Sequence, residues 1–151
     1  MYFTLILWQP MKLYFDEVIK FLQEKDRMSV VKFFDFTIKD QFLLEFLYKI
    51  YEKDTGFHKN KEDGVFIIKH NALIKKGETI RIIIVQIENP KFGHKNIICT
   101  DITHWKHNCR NHFKRYINDC RNIIHGCNNE EYSDYVINFL SKYEDNIYIN
   151  K

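Results

Sequence analysis

The chain has 151 residues, 45% of them apolar and 16% aromatic, with 23 Lys and Arg against 20 Asp and Glu for a net charge of +3. That composition excludes a disordered or collagen-like chain and is long enough to bury a core without metal or disulfides. The mild positive charge would suit an anionic ligand but makes a weak case for a dedicated nucleic-acid binder. The apolar start, Tyr2 to Trp8, is too short to span a bilayer and is interrupted by Pro10. It also lacks a charged leader and a small-residue cleavage site, which predicts a cytoplasmic protein with Cys99, Cys109, Cys120 and Cys127 reduced.

Tyr2 to Trp8 reads as a buried strand, and Pro10 sits where a helix can begin. Tyr14, Phe15, Val18, Ile19 and Leu22 repeat at helical spacing and predict an amphipathic helix. Val30 to Ile38 is a second strand, with Val31 and Phe33 on one face and Phe34, Phe36 and Ile38 on the other. Asp40 can cap the next helix, whose stripe is Phe42, Leu43, Phe46, Leu47, Ile50 and Tyr51. The polar stretch from Glu52 to Gly64 reads as a loop, and Val65 to Lys69 as a third strand. Between Asn71 and Ile87 local propensity is divided: Ala72-Leu73-Ile74 is helical, whereas Ile80 to Ile87 is β-branched.

Asn89-Pro90 and Gly93 mark an irregular connection. Asp101 or Thr103 can open a helix carrying Ile102, Trp105, Cys109, Phe113, Tyr116 and Cys120 on one side. Ile123-Ile124 is a short buried strand ended by His125-Gly126. Asn128 or Asn129 then caps a last helix that buries Tyr132, Tyr135, Val136, Phe139 and Leu140. The order contains two stretches of the βαβ type and predicts a single α/β domain over residues 1–151, a small sheet covered by helices on at least one face.

The segment Arg121-Asn122-Ile123-Ile124-His125-Gly126 resembles the active-site strand of nucleoside diphosphate kinases. Around it, Phe3 to Trp8 followed by Gln9-Pro10, the helix through Val18 to Lys25, the strand Val30 to Phe36, Arg81 before Asn89-Pro90, and the tail Asn146 to Ile149 are similar to that family's order of elements. The resemblance implies an α+β, ferredoxin-like fold and a helix from Asn71 to Lys75 leading into a loop. It implies transfer of a γ-phosphate from a nucleoside triphosphate to a diphosphate through phospho-His125, with Mg²⁺ and ATP, in a homo-oligomer. It also places Tyr48 as a phosphate contact and Phe57 as the ring that stacks on the base.

Phosphoryl transfer needs an in-line nucleophile and cations facing the equatorial oxygens. A neutral imidazole serves as acceptor near pH 7. Gly126 leaves room for a phosphate beside His125, Asn122 can bond a ribose hydroxyl or phosphate from the same strand, and Arg81 with Arg110 or Arg115 can neutralise the transferring group. Four positions depart from the family pattern. Gln9 stands in place of a phosphate-binding Lys, Glu88 in place of a Thr, Cys127 in place of a Ser, and Val136 in place of the Glu that orients the histidine. Loss of one such group costs on the order of a hundred- to a thousandfold in rate, so a silent nucleotide-binding or scaffolding paralogue is the second reading.

Packing offers its own account of each residue. His125 can be a structural histidine at a strand end, Arg81 and Arg110 solvated surface charges, Tyr48 part of its helix stripe, and Phe57 an anchor for its loop. Cys99, His104, His107, Cys109, His112 and Cys120 lack the paired spacing of a zinc site, and Cys109 and Cys120 fall on the apolar stripe, so no metal site is assigned. Lys106, Arg110 and Lys114 recur at i, i+4 and i+8. They read as a solvated basic face, with a small nucleic-acid-binding domain as the third reading.

Overall fold

The computed structural model describes residues 1–38, 40–54, 64–74, 79–142 and 147–150. Strand β1 (Tyr2–Leu7) is followed by a 3₁₀ turn (Gln9–Tyr14) with Pro10 in its first turn, and then by helix α1 (Phe15–Gln23). Strand β2 (Met28–Ile38) leads to α2 (Asp40–Tyr51), α3 (Gly64–Ile74) and β3 (Thr79–Ile87). A small two-stranded ribbon, β4 (Phe92–Gly93) and β5 (Ile98–Cys99), encloses the one-turn α4 (His94–Ile97) and runs into α5 (Thr100–Phe113). A second 3₁₀ turn (Cys120–Asn122), β6 (Ile124–Gly126), α6 (Glu130–Lys142) and β7 (Ile147–Asn150) complete the described chain.

The main sheet has the order β6-β1-β3-β2-β7 with every neighbouring pair antiparallel. Its first four strands arise from two interleaved units, β1-α1-β2 and β3-α5-β6, which is the ferredoxin-like arrangement. β7 extends the β2 edge through the pairs Asp35 to Asn150 and Ile38 to Ile147.

Helices cover both faces. Leu5, Leu7, Ile83, Val85 and Ile87 meet α1 through Val18 and Leu22 and α5 through Ile102, Trp105, Cys109 and Phe113. Ile6, Trp8, Ile80 and Ile82 meet α2 through Leu43, Phe46, Leu47 and Ile50, α3 through Leu73, and α6 through Tyr132, Val136 and Leu140. Each fully buried side chain of this kind stabilises the fold by about 1.5–3 kcal/mol relative to exposure.

Double coverage explains why Ile80 to Ile87 is ambiguous by propensity. β3 lies at the centre of the sheet and is buried on both faces, so its sequence is a continuous apolar run without alternation. Val65 to Lys69 is not a strand but the first half of α3. A five-residue apolar run is too short to separate buried helix from strand by period. β2 has the two faces expected of it, with Val31 and Phe33 exposed and Phe36 and Ile38 buried, and an irregularity in pairing between Val30 and Lys32. Asn129, the residue before α6, accepts the amide of Tyr132 at 2.7 Å and so acts as its cap. Cys109 is buried as the α5 stripe requires, whereas Cys120 lies beyond that helix in a 3₁₀ turn and is exposed. No helix of the described residues is long and apolar enough to cross a membrane.

Candidate functional site

β6 is a three-residue edge strand whose pairing with β1 sets Leu5 opposite Gly126, Ile6 opposite His125 and Leu7 opposite Ile124. Side chains of paired residues share a face. His125 therefore points with Ile6 into the layer of α2, α3 and α6, while Ile124 and Gly126 face α1 and α5. The side of β6 away from β1 has no strand partner among the described residues, and α5 reaches it. Arg110 donates from Nε and Nη2 to the Ile124 carbonyl at 3.2 and 2.8 Å.

His125 is 3% exposed. Tyr51, the last residue of α2, meets the imidazole edge-on at 4.6 Å between centroids and stacks on Trp8 at 6.4 Å. Nε2 of His125 lies 2.8 Å from the hydroxyl of Tyr132. That hydroxyl is also in short contact with the Ile50 carbonyl at the end of α2, one of the acceptors a helix C-terminus leaves unpaired.

A carbonyl only accepts, so the phenol proton goes to Ile50 in the short contact; the hydroxyl also meets the Cys127 thiol, and its oxygen accepts from His125 Nε2–H. Counting donors in this way fixes the tautomer and leaves the lone pair on Nδ1. Burial, and then the charges of Lys106, Lys69 and Arg110, hold the imidazole pKa well below its ordinary range, so the ring is neutral at pH 7. Val136 stands where the resemblance places the Glu that orients the histidine, with Glu131 or Asp134 as the substitutes the sequence offers. Val136 is a fully buried core residue, and Tyr132, one helical turn earlier, fixes the ring instead.

Three cations flank this segment. Lys69 of α3 donates to the Arg121 carbonyl and to Asn122 Oδ1, each at 3.0 Å, and sits 4.4 Å above the Trp8 ring. Burial, followed by the charge of Arg110, lowers its pKa from 10.5 to about 7. Lys106 of α5 runs beside Gly126, and burial and then Arg110 lower its pKa as well. Arg110, anchored on Ile124, acts on Tyr51, Lys69, Lys106 and His125 alike. A cleft of about 290 Å³, lined by Lys53, Ile97, Asn129, Glu131 and Tyr132, opens beside the Tyr132 ring.

The structure thus brings His125, Asn122 and Arg110 together and adds Lys69, Lys106, Tyr51 and Tyr132. Asn122 is buried and holds Lys69, and it belongs to the 3₁₀ turn before β6 rather than to the strand itself. Tyr48 is half-buried against the α2 core, and it is Tyr51, three residues on, that reaches His125. Phe57 lies outside the described residues.

Arg81 does not join them. It pairs with Leu7 and so faces α1, on the side of the sheet opposite His125. Its guanidinium forks onto Asp35 at 2.6 and 2.8 Å, reaches Asp16 at 2.5 Å, and lies between the rings of Phe15 and Phe33. The hydrogen bonds of Asp35 raise its pKa still further, so it is a structural cation with three of its five N–H donors on Asp35 and Asp16.

Gly126 serves a different purpose from the one expected. A Cβ there would stand 2.9 Å from Ile102 Cγ2 and 3.2 Å from Leu5 Cδ2, so the glycine admits α5 rather than a phosphate. Glu88 lies past the far end of β3, where its amide bonds the Arg27 carbonyl. It is six residues from Ile82, the β3 residue level with His125, or roughly 20 Å along a strand. Its charge is therefore remote from the histidine.

Sequence alone missed Tyr132, Tyr51 and Lys69. A fully buried phenol in the first turn of the last helix was the one available signal for Tyr132, because such a hydroxyl must find a partner. No protein-family model matches the chain, and no curated protein matches it.

Proposed function

We propose that the chain is a nucleoside diphosphate kinase-like phosphotransferase acting through His125. The observation that carries this reading is the setting of that histidine: its Nε2 lies 2.8 Å from the Tyr132 hydroxyl, which leaves the lone pair to Nδ1, and the charges of Lys106, Lys69 and Arg110 reach the ring. In the first half-reaction Nδ1 attacks the γ-phosphorus, the bond to the β,γ-bridging oxygen breaks, and the nucleoside diphosphate leaves. In the second half-reaction a terminal oxygen of another diphosphate attacks the phosphohistidine and frees Nδ1. The cations lower the charge cost of the equatorial oxygens.

Mg²⁺ enters as the counter-ion of the nucleotide. Such an ion is bound largely by phosphates and water. Among the described residues no group of three or more His, Cys, Asp or Glu side chains is placed to hold a metal. A homo-oligomer in the cytoplasm is the setting the family resemblance supplies.

A catalytically silent nucleotide-binding paralogue is the second reading, favoured by the near-complete burial of His125 and by Gln9 at the end of β1. A small basic nucleic-acid-binding domain is less favoured, because Lys106 and Arg110 turn toward β6 and leave Lys114 as the exposed member of that row.

The test is incubation with γ-labelled ATP and Mg²⁺ beside His125→Gln and His125→Ala. Acid-labile, alkali-stable label on the parent and none on either folded variant supports the transfer mechanism. An unlabelled parent whose melting temperature rises with ADP and Mg²⁺ selects the silent paralogue.

A further inference from the structure

On the side of the sheet away from His125, a cleft of about 350 Å³ opens between α1 and the end of α5. That volume lies in the range of small-ligand sites. Tyr14, Glu17, Phe21 and Glu24 recur at i, i+3, i+7 and i+10 and form one wall. The two helices run antiparallel here. Tyr14 stacks on Tyr116 at 4.4 Å between centroids, whereas Phe21, two turns on, meets His112 at 4.9 Å and Phe113 at 5.8 Å. Phe113 is buried and Tyr116 is 43% exposed, so the aromatic lining runs from the core to the surface.

The cleft also holds two carboxylates, Glu17 and Glu24, and two cations, Lys20 and Arg115. Lys20 stands three residues after Glu17 and four before Glu24, the spacings at which helical ion pairs form. Among the described residues neither pair forms, and Arg115 has no carboxylate partner. Lys25 lies 3.6 Å over the Phe21 ring and Arg115 4.8 Å over that of Tyr116, and each ring has a second ring beside it. A lone ligand cation would therefore find the π-faces of these two rings in use. A ligand of either single charge would meet as many like charges as opposite ones. A molecule carrying both charges and an aromatic ring matches the whole lining, because each charge is paired and the ring is covered.

We propose that this cleft binds a zwitterionic aromatic amino acid. Its ring lies among Phe21, Phe113 and Tyr116, its carboxylate meets Lys20 and Arg115, and its ammonium meets Glu17. The two charges of an α-amino acid are borne on one carbon, so they need an acid and a base at the same end of the cleft. Glu17 meets that need, one turn from Tyr14 at the end where Arg115 and Tyr116 stand, whereas Glu24 lies almost three turns from Tyr14. The planar guanidinium of Arg115 suits a carboxylate, which it can grip through two parallel hydrogen bonds. The site stands apart from the phosphotransfer reading, since α1 and α5 cover the face of the sheet opposite His125.

The experiment is a nitrogen-resolved NMR titration of the full chain with L-phenylalanine. Phenylpropionate, which lacks the ammonium, and phenethylamine, which lacks the carboxylate, serve as partial ligands. Arg115→Met and Glu17→Gln are compared with the parent and with Glu130→Gln, an exposed control on α6, each checked for folding by circular dichroism. Saturable shifts in the amides of residues 14–24 and 112–116 are expected for phenylalanine. Its affinity should fall by about tenfold or more in Arg115→Met and Glu17→Gln, should exceed that of either partial ligand by as much, and should be unchanged in Glu130→Gln. Absence of saturable shifts in the parent, or shifts confined to another part of the chain, overturns the assignment. Equal affinity for phenylalanine and the partial ligands, or equal binding by the parent and Arg115→Met, does so as well.

Discussion

The hydroxyl of Tyr132 stands 2.8 Å from Nε2 of His125 and hands its proton to the Ile50 carbonyl, so a phenol on the last helix sets which imidazole nitrogen is basic. Tyr132→Phe strips both Nε2–H and Ile50 O of a buried partner while leaving the ring in place. The expected loss is about 2 kcal/mol of folding stability, read from urea denaturation. Nitrogen chemical shifts of His125 should move from the Nε2–H pattern toward a mixture of tautomers. Unchanged shifts together with full stability would show that Tyr132 does not orient the ring.

Arg81 and His125 occupy opposite faces of the sheet, and substitution should separate them functionally. Arg81→Met leaves Asp35 and Asp16 unpaired, but those side chains are 27% and 79% exposed and regain water. The cost should therefore fall below the figure for a wholly buried pair, at roughly 1–3 kcal/mol. Any phosphate labelling of His125 should persist, measured at a temperature where the variant is folded. Loss of label from a folded Arg81→Met protein would contradict the assignment of faces.

Stability should depend on pH in two separate windows. The native state keeps His125 neutral at a pH where the unfolded imidazole, near 6.5, already binds a proton. This contribution is complete above that pH and is lost as pH falls, by at most about 1.4 kcal/mol per unit; His107, also lowered, acts in the same sense. Lys69 has a native pKa of about 7 against 10.5, so above pH 7 the unfolded chain holds a proton the native state has shed. Stability should rise with pH across that second window. His125→Asn should flatten the acid arm and Lys69→Met the alkaline one, as followed by denaturation midpoints from pH 5 to 9.

The contact between α5 and β6 can be tested at Gly126. Gly126→Ala drives a methyl to 2.9 Å from Ile102 Cγ2, and overpacking of this kind costs about 1–3 kcal/mol. Ile102→Ala opens the same space, so the alanine at position 126 should cost distinctly less in that background. Strict additivity in this double-mutant cycle would mean that Gly126 is not what lets the helix approach.

By itself the sequence determined the elements whose periodicity survives in one dimension. α1 and α6 carry a single apolar stripe, β2 shows two chemically different faces, and the short strand with His125-Gly126 stands out between polar segments. Hydrophobic period is a local property, so it can be read before any contact exists.

Other features only the tertiary structure decided. β3 has no readable period because helices cover both its faces, and for the same reason nothing in the sequence says which face Arg81 enters. A shift of one residue in pairing would have put it beside His125. Tyr132 meets Ile50 across 82 residues and Lys69 meets Asn122 across 53. The histidine, Asn122 and Arg110 were legible, but the imidazole's tautomer and the place of Lys69 were not, because those depend on the packing of α2, α3, α5 and α6 around one short edge strand.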